Sequence, residues 1–252
     1  SNTNLPCLGY NGGMTTLLYQ TDAYLKEFSA TITSVDAVTR AVVLDQSAFY
    51  PGGGGQPCDF GTLEVDGVVY PVDKVKKQGD DVLHFLGGLD SLPSVNSASR
   101  GTLDWARRYQ LMRTHTALHI LCGTVFRDYG AKVTGGDMDP LKGRMDFEFE
   151  NMRAELVNAI ETATNHEVQQ GRELRVKILP RDEAFQIPDL IRTKINLLPP
   201  DIKQIRTVEI VGLDLQADGG THVMNTSEIG KIKVVDYKSK GAINKRIYIE
   251  IE

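Results

Sequence analysis

The sequence predicts an α+β protein of two parts: a small N-terminal β-barrel, then an α+β core organised on one long helix. Three observations carry that expectation. Short runs rich in Val, Thr, Leu and Tyr recur at turn-like spacing from residue 15 to about residue 92, as in a small barrel or sandwich. From Trp105 to Tyr129 there is no proline and a single glycine, as in a long helix. Beyond that point strands and helices interleave without a regular βαβ repeat, which favours α+β over a doubly wound fold.

Residues 1–13 carry Asn and Gly-Gly but no hydrophobic pattern and read as a loose extension. Strands are expected at 15–20, 28–35, 41–44, 62–65, 68–72 and 82–85, with Asp66-Gly67 as a hairpin turn. The stretch 87–100 is rich in Gly, Pro, Ser and Asn and reads as the connection out, giving a barrel at 14–98 and a core at 99–252. In the core, Asp104 is placed to cap the helix, and Leu111, Leu118, Cys122 and Val125 fall at helical spacing on its buried side. A strand is expected at 145–149. A second helix is expected at 151–170, with Leu156, Ile160 and Ala163 on one face and Gly171 as its stop. A strand at 173–179, a helical turn at 180–185, and strands at 207–211, 231–237 and 247–251 complete the reading.

With 252 residues, 41% hydrophobic and 24% charged, the chain can bury a core. Its apolar runs fall far short of the ~20 residues of a membrane helix. No basic-plus-apolar leader opens the chain, and Cys7, Cys58 and Cys122 are too scattered for a disulfide framework, so a cytoplasmic location is expected. A net charge of −5 argues against gripping nucleic acid by bulk charge. Division changes that inference. Residues 1–100 hold 6 Lys or Arg against 11 Asp or Glu, whereas residues 101–252 hold 22 of each. The last stretch holds Lys231, Lys233, Lys238, Lys240, Lys245 and Arg246 with Tyr237 and Tyr248 among them. That composition suits phosphate contact with base stacking, and equally a solvated sheet face.

The strongest chemical signal is Arg113-Thr114-His115-Thr116-Ala117-Leu118-His119. Two histidines at i and i+4 leave one helix face a turn apart and can share a metal ion. Thr116 stands where a zinc protease needs its glutamate base, so that chemistry is not indicated. Two imidazoles are an incomplete site. Cys122, one turn on, His166 in the second helix, and Asp218-Gly219-Gly220-Thr221-His222 are the candidates to complete it. Cys122 is also a natural core residue and His166 a natural surface one. The last candidate sets two ligand types either side of a Gly-Gly turn. Phe49-Tyr50-Pro51-Gly52-Gly53-Gly54-Gly55-Gln56 lacks the Lys-Ser or Lys-Thr of a phosphate loop; it offers close backbone approach with Gln56 displayed at its end.

Taken together these motifs resemble the editing domain of alanyl-tRNA synthetase and its free-standing relatives, the AlaX family, over residues 16–251. The segment from Leu44 to Gln56 is similar to the glycine-rich motif of the barrel in the longer AlaX forms. Arg113 to His119 matches the family's His-Thr-Ala-x-His helix. Gly219-Gly220-Thr221-His222-Val223, then Asn225-Thr226 and Glu228-Ile229-Gly230, match its C-terminal motif. The resemblance implies a trans-editing hydrolase with no aminoacylation core, acting on alanine tRNA that carries serine or glycine. Alanine's own site rejects serine poorly, because one added hydroxyl is a weak basis for exclusion; a second site that hydrogen-bonds the hydroxyl solves this. The resemblance implies one Zn²⁺ on His115, His119 and His222, with these three and Gln56 as the catalytic group. It implies Thr134 as the serine sensor, with Gly53, Gly54, Gly55, Gly219, Gly220 and Thr221 against the substrate. Where many relatives carry Cys, this chain has Asp218, either as an oxygen ligand or as the holder of a water. That departure leaves a second reading open, a tRNA-binding or synthetase-associated module that has lost editing. A metal-dependent hydrolase of small molecules is a third.

Overall fold

The structure, a computed structural model, describes residues 14–192 and 198–252. The expected N-terminal extension, with Cys7, lies outside the described residues. Contacts divide the chain into one unit ending at Trp105 and a second made of 106–252 together with Gly53–Pro57.

In the first unit, strands β1 (Thr16–Leu17), β2 (Glu27–Asp36), β3 (Ala41–Leu44), β4 (Gln46–Ser47), β5 (Gly61–Val65), β6 (Val68–Gln78), β7 (Asp81–Leu86) and β8 (Ala98–Leu103) follow in order. Six of them close a barrel in the order β2-β3-β7-β6-β5-β8, with β8 pairing back onto β2. Alternation decides what points inward. Ile32, Val42, Leu44, Leu63, Val72 and Val82 are buried with Phe28 and Phe49 in its core, each burial favourable by about 1.5–3 kcal/mol. Asp66 and Gly67 both take positive φ and turn β5 into β6, as their sequence requires.

Two expectations for this unit need correction. The strand at 15–20 is only two residues long and passes into a 3-10 turn at Leu18–Gln20. The end of the stretch 87–100 is no connection, because β8 begins at Ala98 and closes the barrel. Its polar look has a packing cause. A Cβ at Gly101 would lie 2.3 Å from the Phe28 ring, and the buried Ser99 hydroxyl donates to the Ala30 carbonyl at 2.8 Å.

The second unit is built on helix α1 (Trp105–Tyr129), where a long helix is expected. It is not one-sided: every residue from Thr114 to Val125 is buried. The reason is that the helix meets two sheets. One is antiparallel, β14-β15-β10-β9, formed by β9 (Val133–Asp139), β10 (Lys142–Glu148), β14 (Ile232–Ser239) and β15 (Asn244–Ile251). The other is β11-β12-β13, formed by β11 (Leu174–Pro180), β12 (Gln204–Ile210) and β13 (Asp214–Ala217). Leu118 packs onto Gly143 of the first sheet, and Gly123 onto Leu213 and Asp214 at the second. Helix α2 (Ala154–Gln169) buries Val157, Ile160, Thr164 and Val168 and contacts β14, while the short α3 (Arg181–Ala184) follows β11. Strands β9 and β13 were not anticipated. The fold class is α+β, with an N-terminal barrel.

Candidate metal centre

Helix α1 carries His115 and His119 on successive turns, and the loop after β13 carries Asp218 and His222. Their ligand atoms lie within 4.8 Å of one another, so these four residues could hold one metal ion. Nε2 of His222, His115 and His119 stands 2.7, 3.4 and 3.8 Å from an oxygen of Asp218. A tetrahedral zinc with bonds near 2.0–2.1 Å needs ligand atoms about 3.4 Å apart, so the donor set fits in size as in chemistry.

The backs of the rings explain the aim of their fronts. Gln56 Oε1 accepts the Thr221 backbone N–H at 3.0 Å, which fixes this atom as the amide oxygen. The His115 Nδ1 facing it at 2.8 Å must therefore be the protonated nitrogen, leaving the Nε2 lone pair for the centre. Gln56 Nε2 donates to Thr221 Oγ1 at 2.8 Å, so the buried amide is held at both its oxygen and its nitrogen. Behind His222, Thr116 Oγ1 meets Nδ1 at 3.0 Å and accepts the Val223 N–H at 3.2 Å. The threonine that displaces a protease-type glutamate thus orients the third imidazole.

The loop is held just as closely. Arg206, on β12, donates to the carbonyls of Asp218 and Gly220 at 3.0 and 2.7 Å. Asp218 Oδ2 accepts the Gly220 N–H at 3.1 Å. A Cβ at Gly220 would stand 2.3 Å from His115 Cε1, so only glycine lets the loop close on that ring. Among the described residues, nothing lies within 4 Å of such a carbon at Gly219. Gly52, Gly53, Gly54 and Gly55 all take positive φ, a run of conformations that only glycine adopts cheaply, and it delivers Gln56.

Electrostatics leaves the cluster ready for a cation. Burial alone would push the Asp218 carboxyl up, but the facing His115, His222 and His119 outweigh it and hold the carboxyl well below its usual range. Burial first, then the neighbouring imidazoles, push His222 well down; burial likewise lowers His119. An ionised Asp218 beside His119 and His222, both pushed toward their neutral forms, suits these groups to ligate a metal.

A cavity of about 600 Å³ opens beside the cluster. Gly54, Gly55, His115, His119 and Asp218 line it, and so do Thr134, Gly135 and Gly136 of β9. Cys122 lines it too but is outside the ligand cluster; burial pushes its thiol up, and Gln216 Nε2 lies 3.5 Å from its sulfur. His166 is exposed on α2. Sequence reasoning passed over Asp214, Gln216, Arg192 and Arg206. One signal was present: Asp214, Gln216 and Asp218 alternate with Leu215 and Ala217, the period of a strand with one polar face.

Comparison with known proteins gives this geometry a context. Residues 205–248 match the family described as "Threonyl and Alanyl tRNA synthetase second additional domain". Residues 10–107 match "tRNA synthetases class II (A)". The chain is 41% identical over 241 residues to the Alanyl-tRNA editing protein AlaX-M of Saccharolobus solfataricus, covering 95% of this chain and 100% of that protein. The chain belongs to the AlaX-M family. An AlaX-M of Methanosarcina barkeri is 35% identical over 242 residues, covering 94% of this chain and 99% of its own length. The Alanine–tRNA ligase of Ignicoccus hospitalis is 37% identical over 224 residues, 86% of this chain but 24% of the ligase. An AlaX-M chain therefore corresponds to one portion of such a ligase. Among the described residues no helix is long and apolar enough to cross a membrane.

Proposed function

We propose that this chain edits alanine tRNA in trans, hydrolysing the ester that joins serine, or secondarily glycine, to its 3′ end. One zinc ion on His115, His119, His222 and Asp218 is part of that reading. The observation that carries it is the convergence of three Nε2 atoms on one carboxylate at the wall of a 600 Å³ cavity, in a chain of the AlaX-M family.

Hydrolysis adds water across the acyl–oxygen bond, releasing the free amino acid and a tRNA with its terminal hydroxyl restored. A bound zinc ion would supply Lewis-acid polarisation of the ester carbonyl or of water. The chain's own residues do the rest. Gln56 and Thr116 fix the ring orientations of His115 and His222 and so act behind the ligands. Gly53, Gly54 and Gly55, with Gly219, Gly220 and Thr221, give backbone that approaches a substrate closely. Thr134 offers a hydroxyl at the cavity wall, where serine finds a partner and alanine finds none.

Deacylation of seryl- and alanyl-tRNA for alanine, with intact protein and a His119→Ala variant, tests this. The intact protein is expected to release serine and spare alanine, and the variant to lose at least about 100-fold in rate. Retained tRNA binding without deacylation by the intact protein would instead favour a module that has lost editing.

A further inference from the structure

Each of the three histidines needs something behind it. His115 has Gln56 and His222 has Thr116, both within hydrogen-bond distance. His119 differs: its Nδ1 is buried and has no hydrogen-bond partner among the described residues. The group facing it is the carboxylate of Asp214, with Oδ2 at 4.0 Å. That gap is about 1 Å longer than an N–H···O hydrogen bond, a distance that a small side-chain rotation covers.

Asp214 is built for the role. Its side chain is 1% exposed. Oδ1 accepts from Arg192 Nε at 3.0 Å and lies 3.0 Å from its Nη2, and Oδ2 accepts from Gln216 Nε2 at 2.6 Å. A carboxylate oxygen takes two donors, so Oδ2 keeps one place on the His119 side. Gly123 of α1 explains how the strand comes so near, since a Cβ there would sit 2.9 Å from Asp214 Cβ. Helix and strand are thus in contact where the carboxylate is needed.

Resting on the metal reading above, we propose that Asp214 is the positioning residue of His119. It accepts the Nδ1–H when a cation takes Nε2, and so completes a set of three backing groups drawn from three different segments. Arg192 and Gln216, both at the cavity wall, hold Asp214 in turn. Carboxylate backing of a ligand histidine fixes ring and tautomer and strengthens the ligand.

The test uses full-length protein, with zinc affinity measured by competition against a chromophoric chelator and ligand field by the visible absorption of the Co²⁺-loaded form. Three variants are compared with wild type, their apo folds checked by near-ultraviolet circular dichroism. Asp214→Asn removes the acceptor charge. Gly123→Ala displaces Asp214 without removing any charged group. Asp146→Asn breaks another partly buried pair, with Arg246, as a control. Asp214→Asn and Gly123→Ala are expected to weaken zinc binding by about 10- to 100-fold and to shift the Co²⁺ bands, with Asp146→Asn unchanged. Wild-type affinity and unshifted bands in both test variants would overturn the proposal, as would equal weakening in the control. A wild-type protein that takes up no metal would sink the metal reading itself, a result distinct from either.

Discussion

The barrel and the second unit each bury histidine, and they treat it in opposite ways. In the barrel, His84 on β7 is completely enclosed, with Nε2 2.7 Å from Ser47 Oγ and Nδ1 3.2 Å from the Val42 carbonyl. Both nitrogens are satisfied by the protein, and burial pushes its pKa down to about 4. In the second unit, His115 and His222 each spend one nitrogen on a backing group, Gln56 and Thr116, and all three histidines, His119 included, turn Nε2 toward Asp218. Burial is common to both regions and decides nothing. What separates a structural histidine from a ligand is whether its second nitrogen is spent on the protein or left facing other ligands. By the same test the Ser47–His84 contact is packing rather than a nucleophile with its base, since neither residue reaches solvent.

The comparison can be broken most forcefully at the loop. Gly220→Ala drives a methyl into the His115 ring, and zinc binding is expected to fall more than about 100-fold, read by metal competition. Acid tests the barrel side. His84 titrates near 6.5 when unfolded and at about 4 when folded, so between those values the unfolded chain binds more protons. Its contribution is complete above about pH 6.5 and is lost as pH falls toward 4, amounting to about 3 kcal/mol. Denaturant titrations at pH 7 and pH 4, followed by the fluorescence of Trp105, the only tryptophan, should show wild type losing that much more than His84→Gln. Equal losses would make the buried histidine irrelevant. Gln56→Ala strips the acceptor behind His115, and zinc affinity should drop about 10- to 100-fold with the barrel's acid response unchanged. Gly219→Ala, with open space around its new methyl, should stay within about 0.5 kcal/mol of wild type in stability and keep its zinc.

What the sequence made legible follows from how local each signal is. The helix from Trp105 to about Tyr129 was readable because its own composition forms it, although its burial from Thr114 to Val125 depends on two sheets further along the chain. Strand β9 was missed because Gly135 and Gly136 dilute its alternation, and β8 because Gly101 yields its place to the Phe28 ring. The histidines announced themselves by spacing. Their backing groups did not. Gln56 is 59 residues from His115 and Thr116 is 106 from His222, and nothing local marks either pairing. Asp214 lies in a strand too short to attract notice.

The central claim is that three imidazoles and Asp218 hold one metal ion on which deacylation depends. The most direct measurement is seryl-tRNA deacylation by protein stripped with chelator, its metal content verified, and then titrated with zinc. Activity should vanish on stripping and return in full at one zinc per chain. Full activity in the stripped protein would contradict the account.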